Sequence, residues 1–135
     1  MAEKIIIDAN GAVFGRLCSF AAKKALEGHE IIIVNSEKAV MTGNKKNIIQ
    51  KYINLRAKGG YSLKGPKYTK IPYYMIKRGI RGMLPEYNRG IGKQALSRVK
   101  CYDGMPEEVK EQKMINIQSP KNSKFITLKE LSERI

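Results

Sequence analysis

Residues 5–34, IIIDANGAVFGRLCSFAAKKALEGHEIIIV, contain the pattern that indicates the fold class. This stretch begins and ends with short β-branched apolar runs, residues 5–7 and 31–34, which predict two buried strands. Between them the apolar residues have the one-face spacing of an amphipathic helix: Phe14, Leu17, Cys18, Ala21 and Ala25. Gly28 then supplies a helix stop. A strand, a helix and a strand with short connections predict a βαβ unit with parallel strands, and therefore an α/β fold.

The rest of the chain continues the alternation of helices and strands. A second helix is predicted over residues 44–56, and its core-facing stripe consists of Ile48, Ile49, Tyr52, Ile53 and Arg56. The side of the helix outside that stripe is predicted to be cationic and to face solvent or RNA. It includes Lys45, Lys46, Asn47 and Lys51. A third helix near residues 73–78 has Pro72 in its first turn, and the segment 79–85 is expected to disrupt it.

A fourth helix is expected around residues 90–98, followed by a strand over residues 99–102. Residues 57–71 contain glycine and proline and predict an irregular, basic extension. A short strand near residues 114–117 and a final helix over residues 127–134 complete the prediction. With 135 residues, the chain fits one domain, residues 1–135, which carries the basic region 43–100 in its middle.

The charge is confined to that middle region. Residues 1–42 carry five bases and five acids, and residues 101–135 carry six of each. Residues 43–100 carry fifteen bases and one acid, Glu86, which accounts for the whole net charge of +14. Because a solvated face normally mixes charges of both signs, this excess predicts a phosphate-rich partner. A membrane surface is the weaker alternative, since it favours a single amphipathic helix with bulky apolar residues.

Fourteen cations are candidate contacts to RNA phosphates. They are Arg16, Lys45, Lys46, Lys51, Lys58, Lys64, Lys67, Lys70, Lys77, Arg78, Arg81, Arg89, Lys93 and Arg98. Tyrosines interleave with several of these bases and could stack on unpaired RNA bases or pack in the core: Tyr61, Tyr68, Tyr73 and Tyr74.

Enzymatic chemistry finds little support in the residue inventory. The turn at residues 8–16 follows a strand and opens a helix, as a phosphate loop does, but it lacks the patterns of nucleotide-binding loops. His29 is the only histidine, and no set of metal ligands or catalytic residues is legible. Cys18 and Cys101 are expected to be reduced and buried. The sequence predicts no enzyme, cofactor, metal or small-molecule substrate.

The location of the protein follows from two further expectations. No run of about 18 apolar residues could span a bilayer, and residues 1–7 lack the apolar core of a signal peptide. The sequence thus predicts a cytoplasmic protein without a membrane partner. A nucleotide-dependent enzyme that uses the turn at residues 8–16, and a nucleic-acid binder such as an RNA chaperone, remain as alternatives.

Several motifs match those of one protein family in their sequence and in their order along the chain. They are DANGAVFGRL (8–17), IIIVNSEKAVMTGNK (31–45), RGMLP (81–85), RG (89–90) and VKCYDGMPEE (99–108). Through them the chain resembles universal large-subunit ribosomal protein family thirteen. The sequence of residues 91–104 is similar to that of the archaeal and eukaryotic branch of this family.

The resemblance implies a three-layer α/β/α sandwich with a mainly parallel sheet and a basic, glycine-rich extension. It also implies a structural constituent of the large ribosomal subunit that binds large-subunit ribosomal RNA, contacts neighbouring ribosomal proteins and supports subunit assembly. The tail after residue 108 matches no family motif.

Overall fold

The chain combines a parallel sheet with helices in the residues that the computed structural model describes: 3–57, 70–86, 88–107, 114–116 and 124–135. In chain order the elements are β1 (Lys4–Asp8), α1 (Phe14–Leu26), β2 (Glu30–Val34), a 3-10 turn (Ser36–Lys38), β3 (Val40–Thr42), α2 (Lys45–Ala57), α3 (Pro72–Gly82), α4 (Gly90–Ser97), β4 (Val99–Cys101), β5 (Ile115–Asn116), β6 (Phe125–Thr127) and α5 (Leu128–Arg134). The predicted α/β class is confirmed.

The predicted βαβ unit is present, with β1 and β2 parallel and joined through α1. Ile5 pairs with Ile31, and Ile7 pairs with Ile33. Strand β4 adds in parallel to β2, and the short β5 adds in parallel to β1. The larger sheet therefore has the order β4-β2-β1-β5. Both downstream strands that the sequence predicted are confirmed.

The two faces of this sheet are covered differently, since alternate residues of a strand point to opposite sides. The first face joins the main core, which also contains buried residues of α1, α3, α4 and α5; its members from the sheet include Ile7, Ile31 and Ile33. The second face carries a smaller cluster of Ile6, Ile32 and Val34, with Met105 and Met114 packed against it. Within the described residues, the helices contribute buried side chains to the cluster on the first face and none to the cluster on the second.

Helix α3 is longer than predicted, spanning Pro72–Gly82 in place of residues 73–78. The expected break directly after residue 78 is wrong, because the helix continues through Gly79. A Cβ on Gly79 would lie 2.8 Å from Cys18 Sγ and 2.8 Å from Phe14 Cζ, both on α1. The missing side chain thus permits a close approach of α3 to α1.

Both cysteines are free thiols. Cys18 is fully buried, and its thiol donates to the carbonyl oxygen of Ile76 at 3.6 Å. Burial, reinforced by Cys101, raises the pKa of Cys18 to about 12. Cys101 is partly buried, so the prediction that it is reduced and buried is confirmed only in part. Burial raises its pKa to about 12 against the opposing effect of Lys77. Both thiols are protonated at neutral pH.

Strands β3 and β6 form an antiparallel pair that the sequence did not predict. Strand β6 leads into α5, where the Thr127 hydroxyl accepts a hydrogen bond from the backbone N–H of Glu130 as an N-cap. The final helix predicted over residues 127–134 is confirmed. Three residues of this segment are fully buried: Ile126, Leu128 and Leu131. The end of the chain is therefore part of the main core.

Candidate nucleic-acid interface

Helix α3 has two faces of opposite character. Its inner face is buried and consists of Pro72, Met75, Ile76 and Ile80. Its outer face has the i, i+3, i+4, i+7 spacing and consists of Tyr74, Lys77, Arg78 and Arg81. Residues at this spacing share one side of an α-helix. Burial of the inner stripe therefore holds three predicted RNA-contacting cations side by side on the outside.

A groove of about 450 Å³ lies against this outer face and continues to α4. Its described lining consists of Ile71, Tyr74, Lys77, Arg78, Arg81 and Leu96. Ile71 is 39% exposed and Tyr74 is 49% exposed. The groove thus places accessible apolar surface between positive charges.

The sequence allowed each of four tyrosines either to stack on RNA bases or to pack in the core. The two that the structure describes differ in exposure. The ring centroids of Tyr73 and Tyr74 lie 4.5 Å apart, with an angle of 36° between the ring planes. Tyr73 is half-buried, whereas Tyr74 presents about half of its surface to solvent. Tyr61 and Tyr68 lie outside the described residues. Tyr74 is therefore the described tyrosine of this set with the more accessible ring.

Helix α2 lies on the surface, and none of its residues is fully buried. Ile48, Ile49 and Tyr52 pack in part against the main core, while Ile53 is 40% exposed. A shallow surface groove on the outer side is lined by Asn47, Gln50, Lys51, Asn54 and Leu55. The side of α2 that was expected to be cationic therefore carries mostly amide side chains along this groove. Lys51 is the cation among the described lining residues.

Two cations of α2 contact the end of the chain. Lys45 Nζ lies 3.3 Å from a carboxylate oxygen of Glu130, while its side chain stays 52% exposed. The Arg56 guanidinium donates to the main-chain oxygen of Ile135 at 2.7 Å. Both contacts tie α2 to the segment of α5. Lys46, at the start of α2, is exposed.

A second cleft, of about 570 Å³, lies at the start of α2 and is lined by Asn44, Lys45, Lys46, Lys124 and Phe125. Lys124 and Phe125 come from outside the basic region 43–100. They reach this place because β6 pairs with β3 and the Gly43 N–H donates to the Lys124 carbonyl at 2.8 Å. Neither residue is among the candidates predicted from sequence, since a pairing across some eighty residues leaves no local signal.

Apart from Arg98, the remaining candidate cations fall into three groups. Arg16, Lys70 and Lys93 are exposed on the surface. Arg89 is exposed and its Nε lies 3.1 Å from a carboxylate oxygen of Glu86. Lys58, Lys64 and Lys67 lie outside the described residues.

Arg98 differs from the other candidates because it serves the fold. Its guanidinium donates to the Ala25 carbonyl at 3.0 Å in a partly buried position. Ala25 is in the last turn of α1, and its carbonyl oxygen also accepts from the Gly28 N–H at 3.1 Å. A cation at the carboxyl end of a helix also interacts favourably with the helix dipole.

In the turn after β1, the chain itself occupies the four backbone amides of residues 9–12. The N–H groups of Ala9, Gly11 and Ala12 donate to the carbonyls of Val34, Lys38 and Ala9, respectively. The Asn10 N–H donates to the Asp8 carboxylate at 3.0 Å. Because the chain itself occupies these donors, the geometry favours a structural strand-to-helix turn over a nucleotide site.

Other kinds of site have no support in the described part of the chain. No group of three or more His, Cys, Asp or Glu side chains there could hold a metal ion. His29 accepts a hydrogen bond at Nδ1 from the Glu3 N–H, and its Nε2 lies 3.5 Å from Glu27. No helix among these residues is long and apolar enough to cross a membrane.

Comparison with known proteins gives the family. The family model described as "Ribosomal protein L13" matches residues 2–108. The chain belongs to the ribosomal protein L13 family. It is 45% identical over 133 residues to the large ribosomal subunit protein uL13 of Methanococcus maripaludis, covering 96% of this chain and 95% of that protein. The proteins of the same name from Methanosarcina barkeri and Thermoplasma acidophilum are 43% and 42% identical, with 96% of this chain and 96% of each relative covered.

Membership in the ribosomal protein L13 family confirms the resemblance seen in the sequence motifs, and the relatives compared are archaeal. The family is one of structural ribosomal proteins, so the prediction of a non-enzymatic protein is also confirmed. The family model ends at residue 108, where the recognisable motifs also end. The relatives nevertheless align over 96% of the chain, which agrees with the burial of Ile126, Leu128 and Leu131 in the main core.

Proposed function

We propose that this chain is a structural constituent of the large ribosomal subunit in the cytoplasm, where it binds large-subunit ribosomal RNA and supports assembly of the subunit. The observation that carries the proposal is the outer face of α3, where Lys77, Arg78 and Arg81 lie on one side of a helix anchored in the core. The names of the archaeal relatives support the same role.

Binding would be passive and dominated by phosphates. Cations positioned by folded helices neutralise backbone phosphates and release condensed counterions, which gives affinity without reading sequence. Glu86, the one acid of the basic region, is paired with Arg89, so it offsets little of the remaining positive charge. The three lysines at residues 58, 64 and 67 belong to the same proposed interface, and neighbouring large-subunit proteins are its further partners.

The proposed architecture is one domain over residues 1–135 with three layers. Ile6 and Ile32 are 3% and 6% exposed, although they face away from the helices of the main core. A parallel sheet needs cover on both faces. We expect the third layer to complete the cover that Met105 and Met114 begin.

The interface can be tested by comparing two triple variants with equal charge changes. The first replaces Lys51, Lys77 and Lys93 with Gln, and the control replaces Lys23, Lys38 and Lys129, which are exposed lysines outside the basic region. Affinity for protein-free large-subunit ribosomal RNA is measured across a salt series. Each lost phosphate contact should flatten the slope of log K against log salt by roughly 0.7–0.9. The control should keep the slope of the unchanged chain, and equal slopes for both variants would contradict the proposed interface.

The ribosomal assignment has a separate test. A cell lysate is sedimented through sucrose gradients at moderate and high salt, and the chain is followed with an antibody. We expect it to travel with the large subunit at moderate salt. An RNA binder outside the ribosome would instead remain in lighter fractions, which would overturn the assignment.

A further inference from the structure

We propose that the groove between α3 and α4 binds one unpaired nucleotide of ribosomal RNA, with the base against the Tyr74 ring and the phosphate toward the cations of α3. The inference rests on the proposed RNA-binding function and goes beyond it by naming the ligand and the residue that stacks. It also distinguishes this groove from the rest of the basic surface.

The apolar part of the groove is the first argument. Contacts to a phosphate backbone need cations and polar groups, and they gain nothing from exposed apolar side chains. Here Ile71 and Tyr74 remain 39% and 49% exposed, and Leu96 extends the apolar lining from α4. An unpaired base has two apolar faces and stacks on aromatic side chains in RNA recognition. A base would therefore bury the apolar surface that a phosphate does not contact.

The charge around the groove is the second argument. Lys77, Arg78 and Arg81 lie on the same side of α3 as Tyr74, and none of the six described lining residues is acidic. This pattern favours an anionic occupant over a neutral apolar segment of another protein. A nucleotide combines an aromatic base with an anionic phosphate in one unit, and so fits both halves of the lining.

Size and anchoring agree with such a ligand. The groove volume of about 450 Å³ is within the range of roughly 300–1,000 Å³ that is typical of small-ligand sites. The Tyr74 ring is supported by Tyr73 at a centroid distance of 4.5 Å. The inner face of α3 is buried in the core, so the platform is in place before RNA arrives. A preformed aromatic surface lowers the ordering cost of stacking.

The test uses the full chain and two RNA probes, a short oligouridylate and an RNA duplex with the same number of nucleotides. Tyr74→Ala should weaken oligouridylate binding about tenfold and leave duplex binding unchanged, because stacking requires an unpaired base. Tyr74→Phe keeps the ring and should bind both probes as the unchanged chain does. Ile91→Ala removes another exposed apolar side chain of α4, 67% exposed and outside the described lining, and should affect neither probe.

Lys77→Gln gives a second measurement that does not depend on the aromatic ring. It should flatten the salt slope for oligouridylate by roughly 0.7. The inference is overturned if Tyr74→Ala leaves oligouridylate binding unchanged, or if it weakens both probes equally.

Ultraviolet crosslinking of intact large subunits decides between RNA and protein as the occupant. The peptide that contains Tyr74 should carry a nucleotide adduct, and a crosslink to a protein neighbour at this residue would overturn the inference. The outcome is separable from the proposed function. If the chain sediments with the large subunit while Tyr74→Ala behaves as the unchanged chain, the groove inference fails alone. If the unchanged chain neither sediments there nor binds ribosomal RNA, the proposed function fails.

Discussion

Helices α2 and α3 both lie in the basic region, yet they relate to the core in opposite ways. Four residues of α3 are buried, whereas no residue of α2 is. The outer face of α3 groups Lys77, Arg78 and Arg81 beside Tyr74. The outer groove of α2 is mostly amide, with Lys51 as its cation. Net charge alone therefore locates the proposed RNA-binding region, but burial decides which part of it is a rigid platform.

The difference has an energetic origin. A helix of 13 residues is marginal in water by itself, so α2 depends on contacts with the rest of the protein. Those contacts are the half-buried Ile48, Ile49 and Tyr52, the Lys45–Glu130 ion pair and the Arg56 hydrogen bond to Ile135. In α3 the stabilisation comes from fully buried side chains. We therefore expect α3 to be coupled to global stability and α2 to be coupled weakly.

The largest effect is expected for truncating a buried isoleucine of α3. An exposed isoleucine of α2 provides the comparison. Ile76→Ala removes a fully buried side chain of α3 and should lower the free energy of unfolding by about 2–5 kcal/mol, because it loses apolar burial and leaves a cavity. Ile53→Ala truncates a side chain of α2 that is 40% exposed, and should change it by about 0.5 kcal/mol. Urea denaturation measures both, and similar losses would break the contrast between the helices.

The sequence predicts those features of the molecule that depend on residues close together in the chain. The βαβ unit was predictable because its signals are local: β-branched runs, helical spacing at Phe14 to Ala25, and Gly28. Among the described residues, each strand of the larger sheet and each α-helix was predicted for the same reason. The charge count was equally local, and it identified the segment that contains the outer face of α3.

Features that depend on distant partners could not be read in this way. Gly79 looked like a helix breaker, because the sequence does not reveal that Cys18 and Phe14 of α1 lie against it. The pairing of β3 with β6 brings Lys124 and Phe125 to the start of α2 from a segment whose net charge is zero. The capping role of Arg98 on α1 likewise appears only once the helices are packed.

The close approach of α3 to α1 predicts opposite effects for two glycines of the same helix. Alanine is favoured over glycine in a helix by about 1 kcal/mol, so an unhindered substitution stabilises. Gly82→Ala meets no atom within 4 Å and should be neutral or stabilising by up to that amount. Gly79→Ala places a Cβ 2.8 Å from Cys18 Sγ, and overpacking of about 1–3 kcal/mol should make it destabilising by up to about 2 kcal/mol.

Thermal and urea unfolding of these two variants provide the measurement. Cys18 has little freedom to move, because its thiol is buried and donates to the Ile76 carbonyl. A stabilised Gly79→Ala variant would mean that α3 can shift away from α1 at little cost. The platform would then be less rigid than its burial indicates.

The smallest expected effect concerns the tether of α2 to α5. A double-mutant cycle with Lys45→Ala and Glu130→Ala should give a coupling of about 0.2–1 kcal/mol, because Lys45 is 52% exposed and solvent screens the pair. Glu130 also contacts Arg134 at 3.5 Å, so the cycle is needed to isolate the Lys45 contribution. Added salt should reduce the coupling further. A cycle of Lys45→Ala with Glu133→Ala, an exposed acid on the same helix, should give none. A coupling well above 1 kcal/mol that persists at high salt would show that α2 is fixed to the core by charge as firmly as α3 is by burial.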